Sequence, residues 1–232
     1  MTLKDPAALK RDAALKALEY VTDGMKLGLG TGSTAEAFLE VLAPRVTAGF
    51  KITGVPTSER TAALCRKLGI PLGTLEELAP LDLDIDGADE TDHQRNLIKG
   101  GGGAHLREKI VAASSKKFLV IADKSKLVKT LGRFALPVEV IEYGKSTTLA
   151  RMTAAFAALG YANVPMTLRM KDGAPFKTDS GNIIYDCAFG AITDAPKLAA
   201  ALDGVTGVVE HGLFIGIATT LIIAGPDGVE VI

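Results

Sequence analysis

Phe118 to Ala122 (FLVIA) is an uninterrupted apolar run, closed by the polar turn Asp123-Lys124-Ser125-Lys126. A strand that is apolar on successive residues is covered on both faces, which is the mark of a parallel sheet whose crossovers carry helices. The rest of the chain must then supply strands and helices in alternation. Lys26 to Gly30, Ile52 to Thr57 and Leu81 to Asp86 read as further strands. Asp5-Pro6 reads as an N-cap with proline at the first helical position, and Ala14, Leu18 and Val21 follow at helical spacing up to the stop at Gly24. Ser33 and Glu36 form an S-x-x-E capping box, and Thr57 or Ser58 caps a helix that ends at Leu68 before Gly69. The pattern predicts a doubly wound, Rossmann-like, mostly parallel α/β sheet, whose ligand site lies beyond the carboxyl ends of its strands.

Beyond Gly132 the pattern changes. Pro137 to Ile141, Ser146 to Leu159, Met166 to Lys171, Ile183 to Ala188, Asp194 to Leu202 and Val208 to Phe214 spell β-α-β-β-α-β, the order of a ferredoxin-like unit. Thr219 to Gly225 and Val229 to Ile232 can return to the first sheet. The expected organisation is a Rossmann-like domain of residues 1–131 and 215–232 with a smaller ferredoxin-like α+β domain, residues 132–214, inserted in it.

Chemistry-bearing residues concentrate between Asp84 and Lys109. Asp86 and Asp89 flank Gly87-Ala88, Lys99 precedes the run Gly100 to Gly103, and Glu108 falls in the first turns of a helix. A four-glycine run loses much conformational entropy on ordering and packs nothing, so a ligand is expected to offset it. Glycine amides and a helix N-terminus favour a negatively charged guest. Gly30-Thr31-Gly32-Ser33-Thr34 is a second such place. Gly28-x-Gly30-x-x-Ser33 lacks the third glycine of the dinucleotide fingerprint, and no P-loop Gly-Lys-Ser/Thr follows. Hydroxyls with amides suit a lone phosphate, although the segment also reads as a plain helix entry. Glu108 suits either a proton-transferring base or a simple helix-dipole partner. Asp82, Asp84 and Asp86 imitate a calcium loop, but its closing glutamate position is His93, and Asp82 and Asp84 read as solvated strand-face residues.

The chain carries 26 Lys and Arg against 27 Asp and Glu, a net charge of −1, with no basic stripe for nucleic acid. Cys65 and Cys187 stand far apart and outside any metal or redox spacing, as expected of reduced core thiols. His93, His105 and His211 share no ligand spacing, so no metal and no cofactor are expected. The start, MTLKDPAALK, has no apolar signal core, and the run around Leu213 to Ala224 is broken by Gly216 and a Thr pair. A soluble cytoplasmic protein without a membrane partner is expected.

Taken together, Gly30 to Thr34, Asp86-Gly87-Ala88-Asp89-Glu90, Lys99-Gly100-Gly101-Gly102, Arg107-Glu108-Lys109 and Leu136-Pro137-Val138-Glu139-Val140 resemble ribose-5-phosphate isomerase, type A, over nearly the whole chain. The resemblance implies a metal-free aldose-ketose isomerase that interconverts D-ribose 5-phosphate and D-ribulose 5-phosphate in the pentose phosphate pathway, as a homodimer or homotetramer. It implies Glu108 as the proton-transferring base, with Asp86, Asp89 and Lys99 at the reacting end of the sugar. Gly87, Ala88, Gly100, Gly101 and Gly102 line the substrate. Thr31, Gly32, Ser33, Thr34, Lys126 and Lys10 take the phosphate. Gly103 and His105 are local variation. One carboxylate can serve both proton transfers if burial raises its pKa toward neutrality. The competing expectations are a phosphosugar sensor domain, for which too few residues precede the first strand to hold a helix-turn-helix, and a sugar-phosphate deaminase or lactonase.

Overall fold

A computed structural model describes residues 5–232. Residues 1–4, part of the segment expected to lack an apolar signal core, lie outside the described residues. The chain divides into two compact units, Met1–Ala88 with Arg107–Leu127 and Gly216–Ile232, and Asp89–Leu106 with Val128–Ile215.

The first unit is built on a six-stranded sheet in the order Gly228–Val231, Thr220–Gly225, Phe118–Asp123, Leu83–Gly87, Met25–Leu29, Ile52–Pro56. Only the edge pair, Thr220–Gly225 with Gly228–Val231, is antiparallel. All six residues of Phe118–Asp123 are buried, as the apolar run requires. Leu27, Leu29, Phe38, Leu42, Leu83, Ile85 and Ile121 make the core on which the helices Pro6–Leu18 and Ser33–Thr47 pack. Burying each such side chain contributes about 1.5–3 kcal/mol. Asp5 caps the first helix and Ser58 the Glu59–Leu68 helix, which Gly69 ends at φ 70°. The first helix stops at Leu18, short of Gly24.

In the second unit, Val208–His211, Leu136–Val140, Ile183–Cys187 and Met166–Leu168 form an antiparallel sheet in that order. That is fourth, first, third, second along the chain, with helices Lys145–Ala158 and Ala195–Asp203 as the crossovers of a β-α-β-β-α-β unit. Met152, Phe156, Leu198 and Leu202 pack with Val138, Ile183 and Tyr185 in one core. No helix among the described residues is long and apolar enough to cross a membrane.

Two expectations need correction. The sequence grouped 89–106 with the first unit, but short ladders tie this segment to the second. Glu90–Thr91 pairs with Leu97–Ile98, and Leu97–Ile98 with Leu213–Phe214, while the Gly132 and Phe134 amides donate to the buried Glu90 carboxylate at 2.7 and 2.8 Å. Val208 to Phe214 is also not one strand. It breaks at Gly212, whose carbonyl accepts from the Lys99 amide at 2.8 Å and where a Cβ would lie 2.2 Å from the Lys99 carbonyl oxygen.

Candidate active site

In the first unit, the site residues gather where the sheet reverses its winding, between the carboxyl ends of Met25–Leu29 and Leu83–Gly87. Gly28 pairs in register with Asp84. A Cβ on Gly28 would lie 2.4 Å from Asp84 Oδ1, and one on Gly30 would lie 2.1 Å from Asp86 Oδ1. Gly-x-Gly on one strand therefore clears room for Asp-x-Asp on its neighbour. Both carboxylates are fully buried, so the expectation of a solvated Asp84 is overturned. Asp86 Oδ1 accepts from the amides of Thr31 at 3.1 Å and Gly87 at 2.7 Å. Asp82, in contrast, is half-buried at the other end of the strand and pairs with Lys116 at 2.8 Å.

Thr31 is held by its hydroxyl as well as its amide. Its Oγ1 lies 2.7 Å from Thr57 Oγ1, 2.8 Å from Ser58 Oγ and 3.0 Å from Thr61 Oγ1. Thr61 in turn donates to the Gly30 carbonyl at 3.0 Å. The three supporting hydroxyls are buried. Gly32, at φ 111°, takes the N-cap position of the Ser33–Thr47 helix, and no side chain caps it. The predicted Ser33–Glu36 capping box is therefore absent: Ser33 is the first helical residue, and Glu36 pairs with Arg60 at 2.6 Å. Ser33 Oγ instead accepts from Lys10 Nζ at 2.9 Å, which brings Lys10 to the loop. Thr34 packs near Gly87, whose Cβ would sit 3.6 Å from the Thr34 Cβ. Ala88 is half-buried just past the strand end.

Glu108 lies in the first turn of the His105–Ala113 helix and is 3% exposed. Val111, one turn on, abuts the Gly28 and Asp84 pair, since a Cβ on Gly28 would lie 2.7 Å from Val111 Cγ1. Glu108 and Val111 share that side of the helix. Lys126 ends the short 3-10 turn Lys124–Lys126, which follows Phe118–Asp123 and is capped by Asp123.

The second unit holds the other residues. Lys99 is 2% exposed, and its ammonium stands 5.6 Å from the Phe214 ring centroid. The glycine run is not an open amide cradle, as the sequence suggested. The Gly101 amide donates to Asp89 Oδ2 at 2.7 Å, and the Gly103 amide donates to the Gly100 carbonyl at 2.9 Å. The run is a structured turn that orients a carboxylate, with Gly100 and Gly103 at φ 106° and 76°, where side chains are strained. Gly102 is exposed on it. His105 is buried with Nε2 3.9 Å from Glu139 Oε2, and Thr178 and Asn182 donate to Glu139 Oε1 at 2.8 and 2.9 Å. Among the described residues, one group has metal-ligand proximity: Asp203, Glu210 and His211, with ligand atoms within 4.8 Å of one another. None of them belongs to the motifs.

Sequence reasoning missed the supporting Thr61 hydroxyl, the burial of Asp84, and Arg169, which reaches the glycine run. The alternation Gly28-x-Gly30 beside Asp84-x-Asp86 was the available signal for the second of these.

Residues 53–228 match the family described as Ribose 5-phosphate isomerase A (phosphoriboisomerase A). The chain is 58% identical over 222 residues to Ribose-5-phosphate isomerase A of Brucella suis biovar 1 (strain 1330), covering 96% of this chain and 95% of that protein. Its fold is similar to ribose 5-phosphate isomerase from Plasmodium falciparum, with a TM-score of 0.92, 37% identity, and 97% and 98% of the two chains covered. A D-ribose-5-phosphate isomerase solved in complex with phospho-erythronic acid matches with a TM-score of 0.91 at 35% identity over 99% of each chain. With likeness of this extent, the chain belongs to the ribose 5-phosphate isomerase A family.

Proposed function

We infer that this protein interconverts D-ribose 5-phosphate and D-ribulose 5-phosphate by moving one proton between C2 and C1 through an enediolate. The observation that carries the reading is 58% identity, over nearly the whole chain, to a ribose-5-phosphate isomerase A. In this reading Glu108 takes the C2 proton of the open-chain aldose and returns it to C1, while the hydroxyl proton passes from O2 to O1. Its burial supports the role, because a carboxylate kept from water meets a carbon acid without solvent competing for the proton.

Lys99 offsets the charge that develops on the enediolate oxygen. Loss of such a donor typically costs about 2.7–4 kcal/mol. Asp86 and Asp89 move the proton between O1 and the ring oxygen that opens the furanose, and Gly87, Ala88, Gly100, Gly101 and Gly102 line the sugar. Thr31, Gly32, Ser33 and Thr34, with Lys10 and Lys126, take the phosphate, whose binding energy orients the reacting carbons. The uncapped start of the Ser33–Thr47 helix supports this, since its first amides are left for an anion. Phospho-erythronic acid, found with a family member, is a phosphorylated sugar acid, and its carboxylate is a chemical stand-in for the two oxygens of an enediolate. The reading extends to a metal-independent, cytoplasmic homodimer or homotetramer serving the pentose phosphate pathway.

The test is incubation of purified protein with ribose 5-phosphate in deuterated water, followed by NMR. Ketose formation is expected, with deuterium at C1 from the turnovers in which the proton on Glu108 exchanges with solvent before its return, and it should persist after chelator treatment. Binding of the sugar phosphate with neither ketose nor exchange would replace the enzyme by a sensor.

A further inference from the structure

Arg169 stands at the break between the strands Met166–Leu168 and Met170–Lys171. Its amide donates to the Ile184 carbonyl at 2.8 Å and its carbonyl accepts from Phe176 at 2.9 Å, so the backbone is fixed on both sides. The guanidinium is then divided between two tasks. Nε and Nη2 fork onto the two carboxylate oxygens of Asp186, Nε at 3.0 Å from Oδ2. Nη1 donates to the Gly100 carbonyl at 2.8 Å and approaches the Gly101 carbonyl at 3.3 Å. The side chain is only 15% exposed, and the Phe176 ring lies 6.0 Å from the guanidinium carbon.

The Gly100 carbonyl and the Gly101 amide belong to one peptide group, which is planar and trans, so the two point in opposite directions. On one side Arg169 holds the oxygen. On the other side the N–H donates to Asp89 Oδ2 at 2.7 Å. The approach is close enough to demand glycine, because a Cβ on Gly101 would lie 2.6 Å from Asp89 Oδ1. A guanidinium on the carbonyl oxygen draws electron density through the peptide and makes its N–H a stronger donor. Asp186, Arg169, one peptide plane and Asp89 thus form a continuous relay within the second unit.

We propose that Arg169, anchored by Asp186, is a positioning residue for the isomerisation, and that it acts through the Gly100–Gly101 peptide to fix the Asp89 carboxylate for proton transfer at the sugar ring. The proposal rests on the isomerase reading and on Asp89 serving ring opening. Ribulose 5-phosphate carries its phosphate on O5 and cannot close a furanose. Its C1 proton can therefore exchange with solvent without any ring step.

The experiment compares wild type, R169A, R169K, D186N, D89N and the R169A/D89N double variant. It reads kcat and KM for ribose 5-phosphate and the rate of deuterium entry at C1 of ribulose 5-phosphate. Expected for R169A is a kcat lower by about 10- to 100-fold, the usual size for losing a supporting partner. KM and the ketose exchange should stay within about threefold, well inside one decade of binding free energy. R169K should restore part of the loss, and D186N should show a milder form of it. In the D89N background R169A should cost less than about twofold, since coupled residues are not additive. Equal loss of conversion and exchange, additive costs in the double variant, or unchanged kcat would each overturn the proposal. If R169A does not fold, judged by circular dichroism, R169K and D186N carry the same comparison. Wild-type protein that makes no ketose would instead overturn the isomerase reading itself.

Discussion

Replacing Gly30 by alanine would put a methyl group where Asp86 already is. The new Cβ would lie 2.1 Å from Asp86 Oδ1, 2.2 Å from its Cγ and 2.6 Å from its Cα. Carbon atoms rest about 3.5–4.0 Å apart, so the two strands must part by about 1 Å or more. The Cα is backbone and cannot swing aside as a rotamer would. Overpacking of this kind costs about 1–3 kcal/mol. Loss of the Thr31 amide bond to the Asp86 carboxylate, 3.1 Å in the native chain, adds about 1.5–3 kcal/mol as a hydrogen bond to a charged group. The sum, about 2.5–6 kcal/mol, lowers the melting temperature by about 5–24 °C for a chain of this size. If Asp86 has the role proposed for it, a displacement of about 1 Å there also costs about 100-fold in kcat. Scanning calorimetry and steady-state kinetics with ribose 5-phosphate read both effects. Gly24→Ala is the control: with φ 84° and no atom within 4 Å, it carries backbone strain alone and should retain kcat. If Gly30→Ala melts within about 2 °C of wild type, less than about 1 kcal/mol, and turns over normally, glycine clearance is not what places Asp86.

Glu108→Gln should keep KM within a few-fold while kcat falls by about 100-fold or more, because the amide keeps the shape without accepting a proton; near-normal kcat excludes Glu108 as the base. Lys126→Ala should chiefly raise KM for the phosphorylated sugar, and an unchanged KM reassigns the phosphate contacts. Burial pushes the Cys65 thiol up to about 11, and drives the Cys187 thiol further in the same direction. Native protein at pH 8 should therefore resist iodoacetamide at both positions and react only when unfolded; mass spectrometry showing rapid native labelling would contradict this. The Lys116 hydrogen bond, then the Lys26 amide, hold the Asp82 carboxyl below its usual range. A depressed folded value stabilises above the unfolded pKa and is lost as pH falls through the folded one. Asp82→Asn should thus cost up to about 1 kcal/mol at neutral pH, small because the partner lysine is exposed, and nothing in strong acid. Equal denaturation midpoints at neutral pH would refute the contribution.

The parallel strands and the β-α-β-β-α-β order were legible because each carries a periodic or continuous apolar signal several residues long. Glu90–Thr91 and Leu97–Ile98 are two residues each, too short for any period, and so the segment 89–106 was grouped with the wrong unit. Asp84 read as solvated because alternation marks which residues share a face and not whether a helix covers it; the side chain of Val111 does. Ser33 lost the cap to Gly32 because a backbone at φ 111° suits only glycine, and an S-x-x-E spacing carries no record of φ. Arg169 was invisible in Met-Thr-Leu-Arg-Met-Lys. Its chemistry depends on a carbonyl 69 residues earlier in the chain.

The inner neighbour of Phe118–Asp123 on one flank is Thr220–Gly225, which the chain reaches only after all four strands of the Leu136–Val140 sheet. During synthesis a largely apolar strand therefore waits with one row of its amides and carbonyls open, a template for the wrong ribbon until Thr220–Gly225 is made. The Leu136–Val140 to Val208–His211 sheet, by contrast, has all its strands out of the ribosome before that point. The newborn chain thus has every strand of its inserted sheet before Phe118–Asp123 gains its second neighbour, and deleting Thr220–Gly225 would strip an inner strand of the host sheet rather than a loose end.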